Sequence, residues 1–200
     1  MLSRSGGSNI PPPSGLSRPL PRTGERSVSG SAFAFLFAEM ITYFQARIQS
    51  ASELETRLSA AGESVGQRLW DVVSLRDRPA KRELTVVSIL QFISGSVWQQ
   101  LFGKPADALE KSTDPAHGPL AFMIREEDPL TNHYISMPKE LARLNVASYV
   151  AGILTGMLNT AGFLVSEVQA VTVPATGTNP RDGVVFLIKF DASVAARESS

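Results

Sequence analysis

The stretch LNVASYVAGILTGMLNTAGFLVSEVQAVTV, residues 144–173, changes its period halfway and so decides the fold. From Leu144 to Thr160 the apolar residues recur at helical spacing and Gly162 supplies a stop. From Phe163 to Val173 the segment turns β-rich and predicts a strand. A connection holding Pro174, Gly177, Pro180 and Gly183 follows, then VVFLIKF (184–190), which predicts a second strand. Within the helix, Ser148, Gly152 and Gly156 stand four apart beside Ala147, Ala151 and Thr155, so one face is nearly bare. In a membrane such a face would suit paired helices. Asn145 and Asn159 argue against a span, and the spacing points instead to close packing on the sheet or a neighbouring helix.

Toward the N-terminus, PLAFMIRE (119–126) and NHYISM (132–137) are short, β-rich and separated by an acidic turn at Glu126–Pro129, which predicts a hairpin-like pair. Three helical stretches precede them. The first covers residues 31–50, with Ser29 or Ser31 as N-cap. Ser52 and Glu55 read as a capping box for the second, and Gly62 as a break before ESVGQRLWDVVSLRDR (63–78), where Val65, Leu69, Val72 and Val73 mark a buried face running to Leu75. The third runs from about Arg82 to Phe102 and stops at Gly103 and Pro105. Helices, two strands, a helix and two strands is an α+β order, with helices packed on a four-stranded, mainly antiparallel sheet.

A chain of 200 residues suits one core, placed at residues 31–192 with a short tail at 193–200. Residues 1–30 hold five Pro, five Gly and seven Ser, a composition expected to form a disordered arm. The arm carries four Arg against one Glu, whereas residues 31–200 carry 15 basic and 18 acidic side chains. A mildly acidic body excludes broad nucleic-acid binding. No apolar signal segment is visible, and Pro11–Pro13, Pro19 and Pro21 would break the amphipathic helix of a transit peptide. The longest apolar run, Ala32–Ala38, falls far short of the ~20 residues of a spanning helix.

Chemistry-bearing motifs are scarce. With no cysteine there is no disulfide, zinc–thiolate site, thiol nucleophile or S-acylation. His117, in DPAHGP, and His133, placed in a short strand, lack the companions a metal needs and read as surface or structural histidines. FGKP (102–105) lacks the second Gly and the Ser/Thr of a phosphate loop and reads as a helix terminator. The basic run RDRPAKRE (76–83) could meet anionic lipid or an acidic partner, but a solvated interhelical loop accounts for it. No catalytic, cofactor or metal residue is assigned.

The first helix is the anomaly. SAFAFLFAEMITYF (31–44) has nine apolar residues between Ala32 and Ile41 and one charge, Glu39. At ~100° per residue, Phe33, Phe37, Met40 and Phe44 form a core stripe flanked by Leu36, Ile41 and Ile48. Roughly opposite lie Phe35, Ala38, Thr42 and Ala46, with Leu36, Glu39 and Tyr43 at the edge, where a charged face would be normal. Burying each large apolar side chain stabilises by roughly 1.5–3 kcal/mol, so this second face needs cover, from another helix of the chain or from a partner protein.

The segments GSVWQQLFGKPADALEKS (95–112), REEDPLTNHYISMPKELARLNVASYVAGIL (125–154) and VVFLIKF (184–190) closely resemble the small-subunit family of the TRAPP vesicle-tethering complex, over about residues 30–192. The resemblance implies helices packed on an antiparallel sheet and subunits paired through their first helices as heterodimers within a multisubunit rod. It implies that the complex acts as guanine-nucleotide exchange factor for a Rab GTPase between endoplasmic reticulum and Golgi, with exchange belonging to the assembly and no catalytic centre in this subunit. It also implies a cytoplasmic chain, peripheral at cis-Golgi and endoplasmic reticulum through the complex only. The tested face becomes Phe35, Leu36, Ala38, Glu39, Thr42, Tyr43 and Ala46. Some relatives carry a Cys acylated into an internal channel. Here Arg76–Glu83 fills the corresponding interhelical region and Val146 stands in the later motif, so acylation lacks its acceptor. A rival of another class is a module binding a small apolar ligand, a lipid held non-covalently.

Overall fold

The computed structural model describes residues 28–48, 50–76, 85–118, 120–133, 144–175 and 181–198. The arm up to residue 27, the basic run at 77–83 and most of NHYISM lie outside the described residues. Helix α1, Gly30–Gln45, is followed after a short turn by α2, Ala51–Arg76. The cap of α2 is Ser50, whose Oγ accepts the Glu53 N–H at 3.2 Å, and not the expected Ser52, which lies inside the helix. Helix α3, Val86–Phe92, opens with a capping box between Thr85 and Ser88 and passes through a π turn, Ile93–Val97, into α4, Trp98–Phe102. Gly103 then adopts φ 80°, the left-handed stop read from FGKP.

The sheet contains β1 (Ala108–Lys111), β2 (Ala121–Glu126), β3 (Val165–Val173) and β4 (Gly183–Phe190) in the order β1-β2-β4-β3, with every neighbouring pair antiparallel. Helix α5, Ser148–Thr160, ends where Gly162 takes φ 89°, and α6, Ala192–Glu198, closes the described chain. The hairpin reading is corrected: β2 is flanked by β1 and β4, and the residues after it, Leu130–Asn132, wind into a 3-10 turn behind Pro129. His133 follows that turn and is not in a strand. The described part of the short tail expected at 193–200 is helical, as α6. Val194 is buried, and Glu198 Oε1 accepts the Val86 N–H at 3.0 Å, at the N-terminus of α3.

One sheet face is the core. Alternate residues Phe122 and Ile124 of β2 and Val184, Phe186, Ile188 and Phe190 of β4 meet Ile89, Ile93 and Trp98 from the α3–α4 side and Leu154, Met157 and Leu158 of α5. Helix α2 lies on α5 through glycines on both sides. A β carbon on Gly62 or Gly66 would strike the backbone at Tyr149 or Ile153, and one on Gly152 or Gly156 would strike Ser59 or Glu63. The bare face of α5 is thus used, and Gly62 is a contact residue in an unbroken helix, not a break.

Candidate functional site

Helix α1 touches the body through a second, smaller core. Phe37 and Ile41 are buried with Leu54 and Leu58 of α2 and with Leu144 and Val146, while Phe33, Met40, Phe44 and Ile48 are partly buried against them. Phe33 stacks on Phe37, and Phe37 meets the Tyr149 ring at 5.5 Å. Burial of Tyr149 in this contact holds its hydroxyl pKa above the ordinary value. Of the expected core stripe, Phe37 alone is fully enclosed, and Ile41 joins it from the flank. Leu36, placed both at the flank of that stripe and at the edge of the second face, is exposed.

The opposite face of α1 is uncovered among the described residues. Phe35 is 79% exposed, Leu36 72% and Tyr43 52%, and Ala38, Glu39, Thr42 and Ala46 are exposed with them. Hydrogen bonding here is local: the Thr42 hydroxyl donates to the Ala38 carbonyl at 3.0 Å. The Arg47 guanidinium lies 3.7 Å from the centroid of the Tyr43 ring and donates to the Tyr43 carbonyl at 2.9 Å. Arg47 therefore fixes the Tyr43 ring as a flat platform. The buried face expected on α2 is corrected: Val73 is buried and Leu69 partly so, whereas Val65 and Val72, seven apart, are exposed.

A separate polar knot lies at the end of α4. Trp98 Nε1 donates to Glu126 Oε2 at 2.7 Å, and Lys104 Nζ reaches Glu126 Oε1 at 2.5 Å. Partial burial opposes the Lys104 charge, yet Glu126 and then Asp107 outweigh it and raise the ammonium pKa. The knot borders a cavity of about 240 Å³ walled by Trp98, Phe102, Val150 and Phe186, with His133 at its rim bonded to Asp128 at 2.6 Å. Glu126 is two residues beyond Ile124 on the core face of β2, so strand alternation could have placed it inward. Its indole partner, 28 residues away, could not be read. His117 sits in a 3-10 turn against Ser112 Oγ at 2.8 Å, far in sequence and role from His133. Among the described residues no group of three or more His, Asp or Glu side chains is placed to hold a metal ion, and no helix is long and apolar enough to cross a membrane.

Residues 33–191 match the family model described as transport protein particle (TRAPP) component. The chain is 44% identical over 183 residues to trafficking protein particle complex subunit 5 of Dictyostelium discoideum, covering 91% of this chain and 95% of that one. It is 43% identical over 179 residues to the Homo sapiens subunit of the same name, covering 89% and 87%. In fold it is similar to trafficking protein particle complex subunit 3 from Naegleria fowleri, solved covalently bound to palmitic acid, with a TM-score of 0.66 at 17% identity over 81% of this chain and 95% of that chain. The extent of these matches, together with the helix-on-antiparallel-sheet architecture, makes this chain a member of the TRAPP component family.

Proposed function

We propose that the chain is a non-catalytic scaffold subunit of a TRAPP vesicle-tethering complex and docks through the outer face of α1 onto another small subunit of the family as a heterodimer. The observation that carries this reading is the exposure of Phe35 and Leu36, 79% and 72%, on a helix whose other face is already seated. Covering such residues stabilises by roughly 1.5–3 kcal/mol each, which favours their burial against a partner. The relatives named as complex subunits support the same reading. In it, guanine-nucleotide exchange on a Rab GTPase in endoplasmic reticulum to Golgi transport belongs to the assembled complex. The chain works in the cytoplasm, peripheral at the cis-Golgi and endoplasmic reticulum through that complex.

Co-expression with a small TRAPP subunit tests this. Phe35→Asp should abolish co-purification while the melting temperature of the isolated chain changes little. Retained co-purification overturns the docking face, and outright unfolding of the variant would mean that α1 is covered within the chain. The rival lipid module draws on the cavity beside Trp98, but about 240 Å³ is below the ~300 Å³ at which small-ligand pockets begin. Native mass spectrometry of the purified chain separates the two readings, since a stoichiometric bound lipid would favour the rival.

A further inference from the structure

Among the described residues the second edge of the sheet is met only by the Asn145 carboxamide, and this carries an inference independent of the α1 face. Strand β3 runs nine residues, Val165–Val173, with β4 on one side and, among the described residues, no strand on the other. Long edge strands are normally blunted by lysines, prolines, brevity or cover. The opposite edge, β1, has four residues, whereas β3 holds neither Lys nor Pro, and its irregularity is confined to the Val165/Glu167 end. In an antiparallel pair the backbone groups of alternate residues point away from the partner. The Ala170 carbonyl is one of these, because it accepts Asn145 Nδ2 at 2.8 Å, and Val168 and Thr172 share its direction.

Beside this edge a polar groove of about 690 Å³ opens between β3 and α2, floored by α5. Its charged side chains, among the described residues, are Glu55 and Glu63 of α2, with no Lys or Arg; Glu167 borders the groove but alternation turns its carboxylate to the opposite sheet face, toward Lys189. Glu55 accepts the Asn145 N–H and Glu167 pairs with Lys189, whereas Glu63 has no hydrogen bond or ion pair among the described residues. On the other sheet face the same edge presents Val171, 42% exposed.

We infer that the β3 edge accepts an extended segment of a partner polypeptide as a fifth strand, with basic side chains at alternate positions directed into the Glu63 groove and apolar ones beside Val171. Backbone pairing supplies the binding and the alternation of side chains supplies the choice. The Asn145 carboxamide gives up the Ala170 carbonyl to a main-chain N–H, exchanging one hydrogen bond for another of like strength. Groove-side side chains of the added strand would set an Arg or Lys toward Glu63 of α2, an opposite-charge arrangement that steers a basic strand and rejects an acidic one.

The test uses the full chain and a labelled heptapeptide of alternating Arg and Val, followed by fluorescence anisotropy and by amide exchange in NMR. The amides of Val168, Ala170 and Thr172 should exchange rapidly in the chain alone and become protected with peptide. Thr172→Pro removes an outward N–H at an exposed position and should weaken binding about tenfold. Glu63→Lys should weaken it by at least about tenfold. Equal binding of a Glu/Val peptide, or undiminished binding by a folded Thr172→Pro, overturns the inference. So does protection of those amides before peptide is added, since the chain itself or a second copy then covers the edge. If Thr172→Pro does not fold, amide protection in the unaltered chain decides alone.

Discussion

Gly152 of α5 rests against the Ser59 carbonyl of α2 with no room for a β carbon between them. Both sides of the obstruction are backbone, so a substituent must push the helices apart and loosen the whole α2–α5 contact. Gly152→Ala is expected to cost about 1–3 kcal/mol or more, read as a lowered melting temperature. Gly95→Ala is the contrast. Nothing lies within 4 Å of its β carbon position, and the change should leave stability equal or raise it by about 0.4–1 kcal/mol.

The same glycines explain where sequence reading succeeds and where it stops. Period and terminators were enough for α5, β3 and β4, since the apolar rows there are long and Gly162 and Gly103 stop helices by their left-handed geometry. Gly62 was misread because a glycine that breaks a helix and one that admits a neighbouring backbone look alike without the neighbour. Strand β1, ALEK, escaped notice because four mixed residues become a strand only by pairing with β2, Leu109 opposite Ile124. On α1 Phe37 is buried and Phe35 exposed, whereas Leu36 and Ile41, both placed at the flank of the stripe, end one exposed and one buried, since wheel position alone does not say how far the neighbouring elements reach. Asn145, which joins α2 through Glu55 and β3 through Ala170, was read only as a polar residue, because its partners are 90 and 25 residues away.

Trp98 and Lys104 both serve the carboxylate of Glu126, which is 4% exposed. Trp98→Phe keeps the ring in place but strips Oε2 of its donor, and should cost about 1–3 kcal/mol in urea unfolding. The lysine gives a pH signature. Its folded pKa is raised, so the stabilisation is complete below the ordinary lysine value and is lost as pH rises through the raised one. Unfolding at about pH 9 and about pH 11 should show this decline in the native chain and a smaller one in Glu126→Gln.

Helix α6 should matter more than its position at the chain end suggests. It buries Val194, 3% exposed, in the main core and sets Glu198 on the Val86 N–H. Glu198→Ala is expected to cost about 0.5–2 kcal/mol, the range for losing a helix cap. Truncation after Asp191 should add the roughly 1.5–3 kcal/mol of an apolar side chain. Thermal melts of the two variants check the order, and equal melting of the truncated and full chains would contradict it.

Asp128 links the turn before His133 to the residue that leads into β4. It holds His133 Nε2 at 2.6 Å and Arg181 Nη1 at 3.4 Å. Partial burial alone would raise its pKa, but the hydrogen bonds and charges of these two partners prevail and hold the carboxyl below its ordinary value. The folded pKa is therefore the lower of the two. Its stabilisation is complete above the ordinary carboxylate value and disappears as pH falls through the folded one. Asp128→Asn carries no such dependence, so native and variant chains should differ in denaturant midpoint near neutrality and converge at about pH 2–3. A constant difference across that range would mean that Asp128 acts through shape and not through its charge.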